Sequence, residues 1–216
     1  MPNGIPESAS KERIQTLEAL GAKLILTPAK EKADGAIRRA QELLSLYPDK
    51  YVLLNQFENP NNWLSHYETT GPEIWKQTEG QITHFVAGMG TGGTLMGNSR
   101  FFKEKNPNIQ ICGVEPCVGH TIQGLKNMEE SMVPKIFERD RLDETIMVSD
   151  ADGYEMARKL AKYEGIFCGM SSGASAFAAC QLAERIEKGV IVCITCDRGD
   201  RYLSTTLFKQ QAQELK

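Results

Sequence analysis

Segments with apolar residues at helical spacing alternate along the chain with short, continuous apolar runs. Between residues 33 and 47, the side chains of Ile37, Ala40, Leu43 and Leu44 fall on one face of a predicted helix. Residues 82–87 are instead a short run typical of a buried strand. Alternating helices and strands are typical of a parallel sheet with helices on both faces, so the pattern predicts an α/β fold.

The predicted elements follow one another through almost the whole chain. The predicted helices cover residues 8–20, 33–47, 72–80, 94–105, 150–164 and 172–188, and a last helix begins near Leu203. The predicted strands cover residues 23–26, 51–55, 82–87, 109–114, 145–148 and 190–196. Residues 119–141 predict a long loop with a short helical piece, and the turn-rich residues 59–62 predict a boundary between two lobes.

Composition narrows the class of partner. The 216 residues are 41% hydrophobic and 25% charged, the balance of a globular protein with a buried core. A net charge of -3 gives no general attraction to nucleic acids or anionic membranes, and no apolar run reaches the roughly 18 residues of a spanning helix. We therefore predict a small-molecule partner, with no nucleic acid and no membrane.

The six cysteines predict reduced thiols in the cytoplasm, because the sequence shows no export signal. Cys193 and Cys196 form a C-x-x-C pair, but an offset of three in a predicted strand sends their side chains to opposite faces. No second such pair or nearby histidine completes a zinc set, so we expect no metal site.

The motif with the clearest chemistry is Gly88-Met89-Gly90-Thr91-Gly92-Gly93-Thr94, placed between a predicted strand and a predicted helix. Glycines allow a tight turn that directs several backbone N–H groups to one point, and the following helix adds the positive end of its dipole. Thr91 and Thr94 contribute hydroxyl donors. This arrangement predicts a phosphate site.

The local pattern leaves the identity of the phosphate ligand open. Gly88, Gly90 and Gly93 satisfy G-x-G-x-x-G, and Glu115 stands 22 positions after Gly93 (115 − 93), where a dinucleotide-binding Rossmann unit has its acidic residue. Against this NAD-type interpretation, Rossmann loops do not need the threonine hydroxyls, and Pro116 directly follows the acid. The motif alone favours neither ligand.

Five motifs occur in the same order as in the cysteine synthase family, and the chain resembles most closely the cysteine synthase B branch. They are NQFENP at 55–60, TTGPEIW at 69–75, GTGGT at 90–94, GIFCGMSSG at 165–173 and DRGDRYLS at 197–204. The resemblance implies the fold type II of pyridoxal-phosphate enzymes, similar to the tryptophan synthase β subunit. It implies that residues 1–59 are a remnant of an incomplete smaller lobe and that residues 60–216 form the larger, cofactor-binding lobe.

The resemblance also assigns site residues. It implies that the phosphate of pyridoxal 5'-phosphate binds at a loop whose members are Gly90, Thr91, Gly92, Gly93 and Thr94, with Gly93 allowing close approach. Ser171 matches the partner of the pyridine nitrogen. A hydroxyl there does not hold the nitrogen protonated, which suits elimination and replacement reactions. Gln56 matches a residue near the substrate carboxylate.

The Schiff-base lysine motif of the family, S-x-K-[DE]-R, does not occur in this sequence. In Ser10-Lys11-Glu12-Arg13 the serine adjoins the lysine, so we interpret Lys11 as a solvated helix residue. We therefore expect no catalytic residue in this chain, a missing N-terminal portion, and little activity from the chain alone. Apolar surface of the smaller lobe should be exposed unless a complementing N-terminal polypeptide covers it.

Residues 125–130 are similar to the loop of family members that use O-phosphoserine and place an arginine where Lys126 stands. A lysine can meet a phosphate as a point charge, so Lys126 is a candidate substrate contact. An ordinary surface lysine is the alternative.

The implied function is formation of L-cysteine from O-acetylserine or O-phosphoserine and sulfide, by a cytoplasmic enzyme that is a homodimer when complete. Cystathionine β-synthase chemistry is a related possibility. A dinucleotide-binding Rossmann module and a non-catalytic subunit that binds pyridoxal phosphate or acts as a scaffold are the alternatives of a different class.

Overall fold

The computed structural model describes residues 2–209, and these form two compact units. Residues 2–55 and 199–209 belong to the first unit, and Gln56–Arg198 form the second.

The first unit is built on two parallel strands. Strand β1 (Pro2–Pro6) pairs with β2 (Lys23–Thr27), and helix α1 (Lys11–Ala19) connects them. Helix α2 (Lys32–Leu46) packs closely on β1, since a Cβ on Gly4 would lie 3.1 Å from the carbonyl oxygen of Ala36. β1 was not predicted, because its two prolines and its glycine hide the apolar alternation of a strand.

Residues 199–209 join the first unit through polar contacts with α1. The backbone N–H and the hydroxyl of Ser204 donate to the two carboxylate oxygens of Glu12 at 2.7 and 2.8 Å. The guanidinium of Arg13 donates to the hydroxyl of Tyr202. The division therefore differs from one boundary near residue 60, and the cofactor-binding role of a lobe 60–216 stays a prediction. Lys11 is exposed, as expected.

The prediction of a strand at residues 51–55 is wrong. Val52 and Leu54 are 76% and 80% exposed, and Asn55 has a φ of 47°. A strand needs a neighbouring strand for its backbone hydrogen bonds, and within residues 2–209 no strand pairs with this segment. The first unit exposes apolar surface, as expected for an incomplete smaller lobe. Besides Val52 and Leu54, its large apolar side chains that are more than half exposed are Leu20, Leu26, Leu46, Tyr47 and Leu203.

The second unit contains the predicted parallel sheet. Its strands are β3 (His84–Gly88), β4 (Gln110–Pro116), β5 (Glu144–Val148) and β6 (Ile191–Cys193), in the order β5-β4-β3-β6. All pairs are parallel, and His84 lies opposite both Gln110 and Ile191. The sheet therefore places the carboxyl ends of β3 and β4 side by side, and the glycine loop begins there.

Helices pack around this sheet. They are α3 (Asn61–Ser65), α4 (Gly71–Gln77), α5 (Gly93–Lys105), α6 (Asp150–Lys159) and α7 (Met170–Ala183). The π-helical turns His66–Thr70 and Leu160–Glu164 follow α3 and α6. The core between α5 and β3 includes Phe85, Leu95 and Phe102, all fully buried. α3 begins at Asn61, within residues 59–62 that were predicted to be turn-rich.

The remaining differences concern element ends. The last helix was expected near Leu203, but residues 203–209 form turns, and residues 210–216 lie outside the described chain. A helical turn at Arg139–Arg141 matches the short helical piece expected in the loop. None of the helices between residues 2 and 209 is long and apolar enough to span a membrane.

Candidate active site

The loop between β3 and α5 has a backbone shape that requires glycine. Gly92 has a φ of 86°, in the left-handed region that favours glycine, and it directly precedes α5. A Cβ on Gly90 would lie 2.7 Å from the carbonyl oxygen of Gly124, so this loop and the loop after β4 are in close contact. The loop leads directly into the N-terminus of a 13-residue helix, and a helix N-terminus favours a phosphate through its free backbone N–H groups and its dipole.

The contacts of Thr91 leave its hydroxyl proton available to donate a hydrogen bond. Its hydroxyl oxygen accepts from the side-chain amide nitrogen of Asn62 at 3.1 Å and from the backbone N–H of Gly93 at 3.2 Å. A hydroxyl oxygen has two acceptor lone pairs and one proton. Because both lone pairs are used, the proton is left for a further acceptor, and the loop fits an anionic ligand such as the cofactor phosphate.

His66 contacts the second threonine of the loop. It lies in the π-helical turn after α3, with Nε2 3.3 Å from the hydroxyl of Thr94 and Nδ1 2.9 Å from that of Thr70. Desolvation lowers the pKa of His66 below its ordinary value of 6.5, so the ring is neutral at pH 7. One ring nitrogen then donates and the other accepts, and each faces a threonine hydroxyl.

Asn62 and His66 were missed by the sequence analysis. They stand four residues apart, which puts them on one face of a helix, and this spacing is the signal that could have found them. It was hidden because the segment was interpreted as a turn.

Ser171 and the glycine loop both lie close to Gly124. Ser171 is 4% exposed, in the first turn of α7. A Cβ on Gly124 would lie 3.7 Å from the hydroxyl oxygen of Ser171. The carbonyl oxygen of Gly124 would lie 2.7 Å from a Cβ on Gly90. The structure therefore brings the predicted phosphate loop and the predicted ring-nitrogen partner close to the same residue, Gly124.

Lys126 is buried, so it is not an ordinary surface lysine. The residue is 6% exposed, and its Nζ lies 5.4 Å from the centroid of the Phe57 ring and 3.4 Å from the carbonyl oxygen of Met132. Its backbone N–H donates to the carbonyl of Met89, in the glycine loop, at 2.7 Å. This bond fixes the loop after β4 against the glycine loop.

The two candidate substrate residues lie in segments that meet. Phe57, which contacts Lys126, adjoins Gln56 in sequence. Gln56 and Lys126 are therefore both carried by segments beside the glycine loop.

Glu115, the acid of the dinucleotide interpretation, is engaged within the protein. Its carboxylate accepts from the backbone N–H of Met128 at 2.7 Å and lies 3.2 Å from the guanidinium of Arg139. The residue is 4% exposed at the end of β4. Glu115 therefore holds the loop that carries Lys126, and its carboxylate is not presented to a ribose.

We expect His66 to make the stability of the protein depend on pH. Its folded-state pKa is lowered, so the unfolded chain binds the proton first, and the contribution of the neutral ring is present above pH 6.5. This contribution should be lost as the pH falls from 6.5 towards the lower, folded-state pKa. In urea unfolding at about pH 7.5 and about pH 5, His66→Gln should lose less stability on acidification than the wild type. Equal losses in the two proteins would contradict the assignment.

Comparison with known proteins places the chain in a family. The family described as pyridoxal-phosphate dependent enzyme matches residues 4–197. A cysteine synthase from Aquifex aeolicus is 51% identical over 212 residues, which are 96% of this chain and 65% of the relative. Cysteine synthase B from Escherichia coli is 43% identical over 207 residues, covering 96% of this chain and 68% of the relative. The chain thus spans about two thirds of the length of these relatives.

Solved structures agree with the sequence relatives. The crystal structure of an O-acetylserine dependent cystathionine β-synthase from Helicobacter pylori has a TM-score of 0.88 and 39% identity, with 96% of this chain and 70% of that chain covered. The structure of O-acetylserine sulfhydrylase isoform 3 from Entamoeba histolytica has a TM-score of 0.84 and 36% identity, covering 96% of this chain and 65% of that chain. These findings confirm the fold type II prediction and support the pyridoxal interpretation over the dinucleotide one. The chain belongs to the family of pyridoxal-phosphate dependent enzymes.

Proposed function

We propose that the protein takes part in β-replacement that forms L-cysteine from an activated serine and sulfide. The activated serine is O-acetylserine or O-phosphoserine, and this chain contributes the cofactor phosphate loop and the partner of the cofactor ring. Relatives named cysteine synthase, at 43–51% identity, support the reaction class.

Each candidate residue has a chemical task in this proposal. Pyridoxal phosphate, when bound, supplies an electron sink that weakens bonds at the substrate α-carbon and allows the β-substituent to be replaced. The loop from Gly90 to Thr94 holds its phosphate, and Thr91 donates the proton that its two N–H partners leave available. Ser171 meets the ring nitrogen without protonating it, and Gln56 lies near the substrate carboxylate.

The observation that carries the proposal is the position of Gly124. A Cβ on Gly90 would lie 2.7 Å from the Gly124 carbonyl oxygen, and a Cβ on Gly124 would lie 3.7 Å from the hydroxyl oxygen of Ser171, so the glycine loop and Ser171 are both close to this one residue. Such convergence of a phosphate-binding loop and a ring partner is what a pyridoxal site requires.

Binding measurements test the proposal. We expect the chain to bind pyridoxal phosphate in competition with inorganic phosphate, and to show no comparable affinity for NAD. Thr91→Val removes one hydroxyl donor to an anion and should weaken pyridoxal phosphate binding about tenfold in calorimetric titration. Thr145→Val, in strand β5, is the matched control and should leave the affinity unchanged. Binding of NAD without binding of pyridoxal phosphate would refute the proposal.

We also propose that Lys126 recognises the phosphate of O-phosphoserine. Its burial beside Phe57 and its backbone hydrogen bond to Met89 of the glycine loop support a role at the substrate. A buried cation attracts an anionic leaving group strongly, because the dielectric constant around it is low.

In a complete enzyme, Lys126→Ala should lower kcat/KM for O-phosphoserine about tenfold or more and change that for O-acetylserine much less. Lys135→Ala is the control, because that side chain is 73% exposed and pairs with Glu58. An unchanged preference between the two substrates in Lys126→Ala would exclude the contact.

The remaining parts of the proposal concern assembly. We propose a homodimer when the enzyme is complete, a cytoplasmic location, and an N-terminal polypeptide that covers the apolar surface of the first unit. The exposed side chains of Val52 and Leu54 support the last of these, and six free cysteines suit a reducing compartment.

A further inference from the structure

The side chain of Asn62 connects two segments that the proposed function uses separately. Its amide nitrogen donates to the backbone carbonyl of Gln56 at 2.6 Å and to the hydroxyl oxygen of Thr91 at 3.1 Å. Asn62 is six residues from Gln56 and 29 from Thr91 in sequence, so it bridges the candidate substrate segment and the candidate phosphate loop.

The orientation of the amide follows from these partners. A backbone carbonyl only accepts hydrogen bonds, so the group that faces Gln56 must be the nitrogen. The nitrogen has two protons, and both are used, one on each partner. Asn62 therefore reaches Thr91 as a donor, and the Thr91 oxygen must accept.

This polarity determines what Thr91 can do. With Asn62 and the N–H of Gly93 occupying its lone pairs, the hydroxyl proton of Thr91 has to point to a third group. A hydroxyl that is free to rotate would need to be ordered before it could bind an anion, at an entropic cost. Here the ordering is already done in the protein.

We propose that Asn62 is a positioning residue that makes Thr91 a dedicated hydrogen-bond donor to an anionic phosphate and fixes the Gln56 backbone beside the same loop. This inference rests on the proposed function, since it assumes that the loop binds the phosphate of pyridoxal phosphate. Asn62 itself does not need to touch the ligand.

Replacing the amide by a carboxylate tests the polarity directly. An aspartate at 62 cannot donate to Gln56 or Thr91, accepts the Thr91 proton instead, and adds a negative charge next to the phosphate loop. We expect Asn62→Asp to weaken binding of pyridoxal phosphate about 100-fold and Asn62→Ala about tenfold. Binding of pyridoxal, which lacks the phosphate, should change less than about twofold in both variants.

Asn61→Asp is the matched control for charge. Asn61 is exposed and adjacent in sequence, and its backbone N–H donates to the side chain of Asn59. The control introduces the same charge one residue away and should change pyridoxal phosphate affinity less than about threefold. A loss equal to that of Asn62→Asp would show a general charge effect and overturn the inference.

A double-mutant cycle separates positioning from simple packing. If Asn62 acts through the Thr91 hydroxyl, then in a Thr91→Val background the change Asn62→Ala should cost less than about twofold instead of about tenfold. A packing role would give the same loss in both backgrounds and would overturn the inference. The cycle also measures Thr91→Val alone, which does not depend on the folding of the Asn62 variants. If Thr91→Val binds pyridoxal phosphate as tightly as the wild type, the inference is overturned.

The inference and the proposed function fail in different ways. A wild-type chain that binds neither pyridoxal phosphate nor inorganic phosphate refutes the proposed function and with it the role of Asn62. A wild-type chain that binds pyridoxal phosphate, together with Asn62→Ala that binds it equally well, refutes the role of Asn62 alone.

Discussion

The chain by itself is expected to be nearly inactive in cysteine formation, and a second polypeptide that carries the family's S-x-K-[DE]-R motif is expected to supply activity. This sequence contains no such motif. The lysine of that motif provides covalent attachment and proton transfer, and loss of one acid–base group alone commonly costs about 10²–10⁴-fold in rate. The expected gain on complementation is therefore at least about 10²-fold.

The first unit gives a physical reason for the two polypeptides to associate. Its sheet has two strands, and a two-stranded sheet is marginally stable without further packing. The apolar side chains of Val52 and Leu54 are exposed in the same unit, on a segment that resembles a strand in sequence but has no strand partner among residues 2–209. A complementing chain that supplies neighbouring strands would bury this surface.

The experiment is co-expression with a polypeptide that contains the family's lysine motif and the segment after it. Sulfide-dependent cysteine formation and co-purification are measured together. The same polypeptide with its motif lysine changed to alanine is the control, and it should associate without restoring activity. Activity of the chain alone equal to that of the two polypeptides together would contradict the expectation, and failure to associate would refute the complementing polypeptide.

The sequence predicted the sheet and the loop well because both depend on local pattern. Residues 82–87 and 109–114 are short apolar runs, and the structure pairs them as the parallel strands β3 and β4. Glycines between a strand and a helix are a local signal too, and Gly92 has the left-handed backbone that such a loop requires.

The errors concern features that depend on distant partners. Residues 51–55 are as apolar as a strand, but strand formation needs a neighbour that the local pattern cannot report. β1 pairs with β2 despite its two prolines, and α2 packs closely over Gly4 in that strand. Asn62 and His66 contact threonines 29 and 28 residues away, and polar residues carry no periodic signal for such contacts.

Gly93→Ala is expected to destabilise the protein by about 3 kcal/mol and to weaken pyridoxal phosphate binding about 100-fold or more. A Cβ on Gly93 would lie 1.9 Å from Oδ1 and 2.6 Å from Cγ of Asn62. The amide cannot move aside cheaply, because its nitrogen is bonded to the Gln56 carbonyl and the Thr91 hydroxyl. The glycine is therefore required by the protein's own packing at the phosphate loop.

Gly153→Ala is a suitable control, because its new Cβ would meet no atom closer than 3.3 Å and it lies within helix α6. Its cost in chemical unfolding should be below about 1 kcal/mol. The double variant Gly93→Ala with Asn62→Ala removes the clash, so it should recover most of the lost stability. Its affinity for pyridoxal phosphate should stay about tenfold below that of the wild type, as for Asn62→Ala alone, because Thr91 then lacks its side-chain donor. Equal costs for Gly93→Ala and Gly153→Ala would contradict this account. Recovery of the full wild-type affinity in the double variant would show that binding does not need the Asn62 amide.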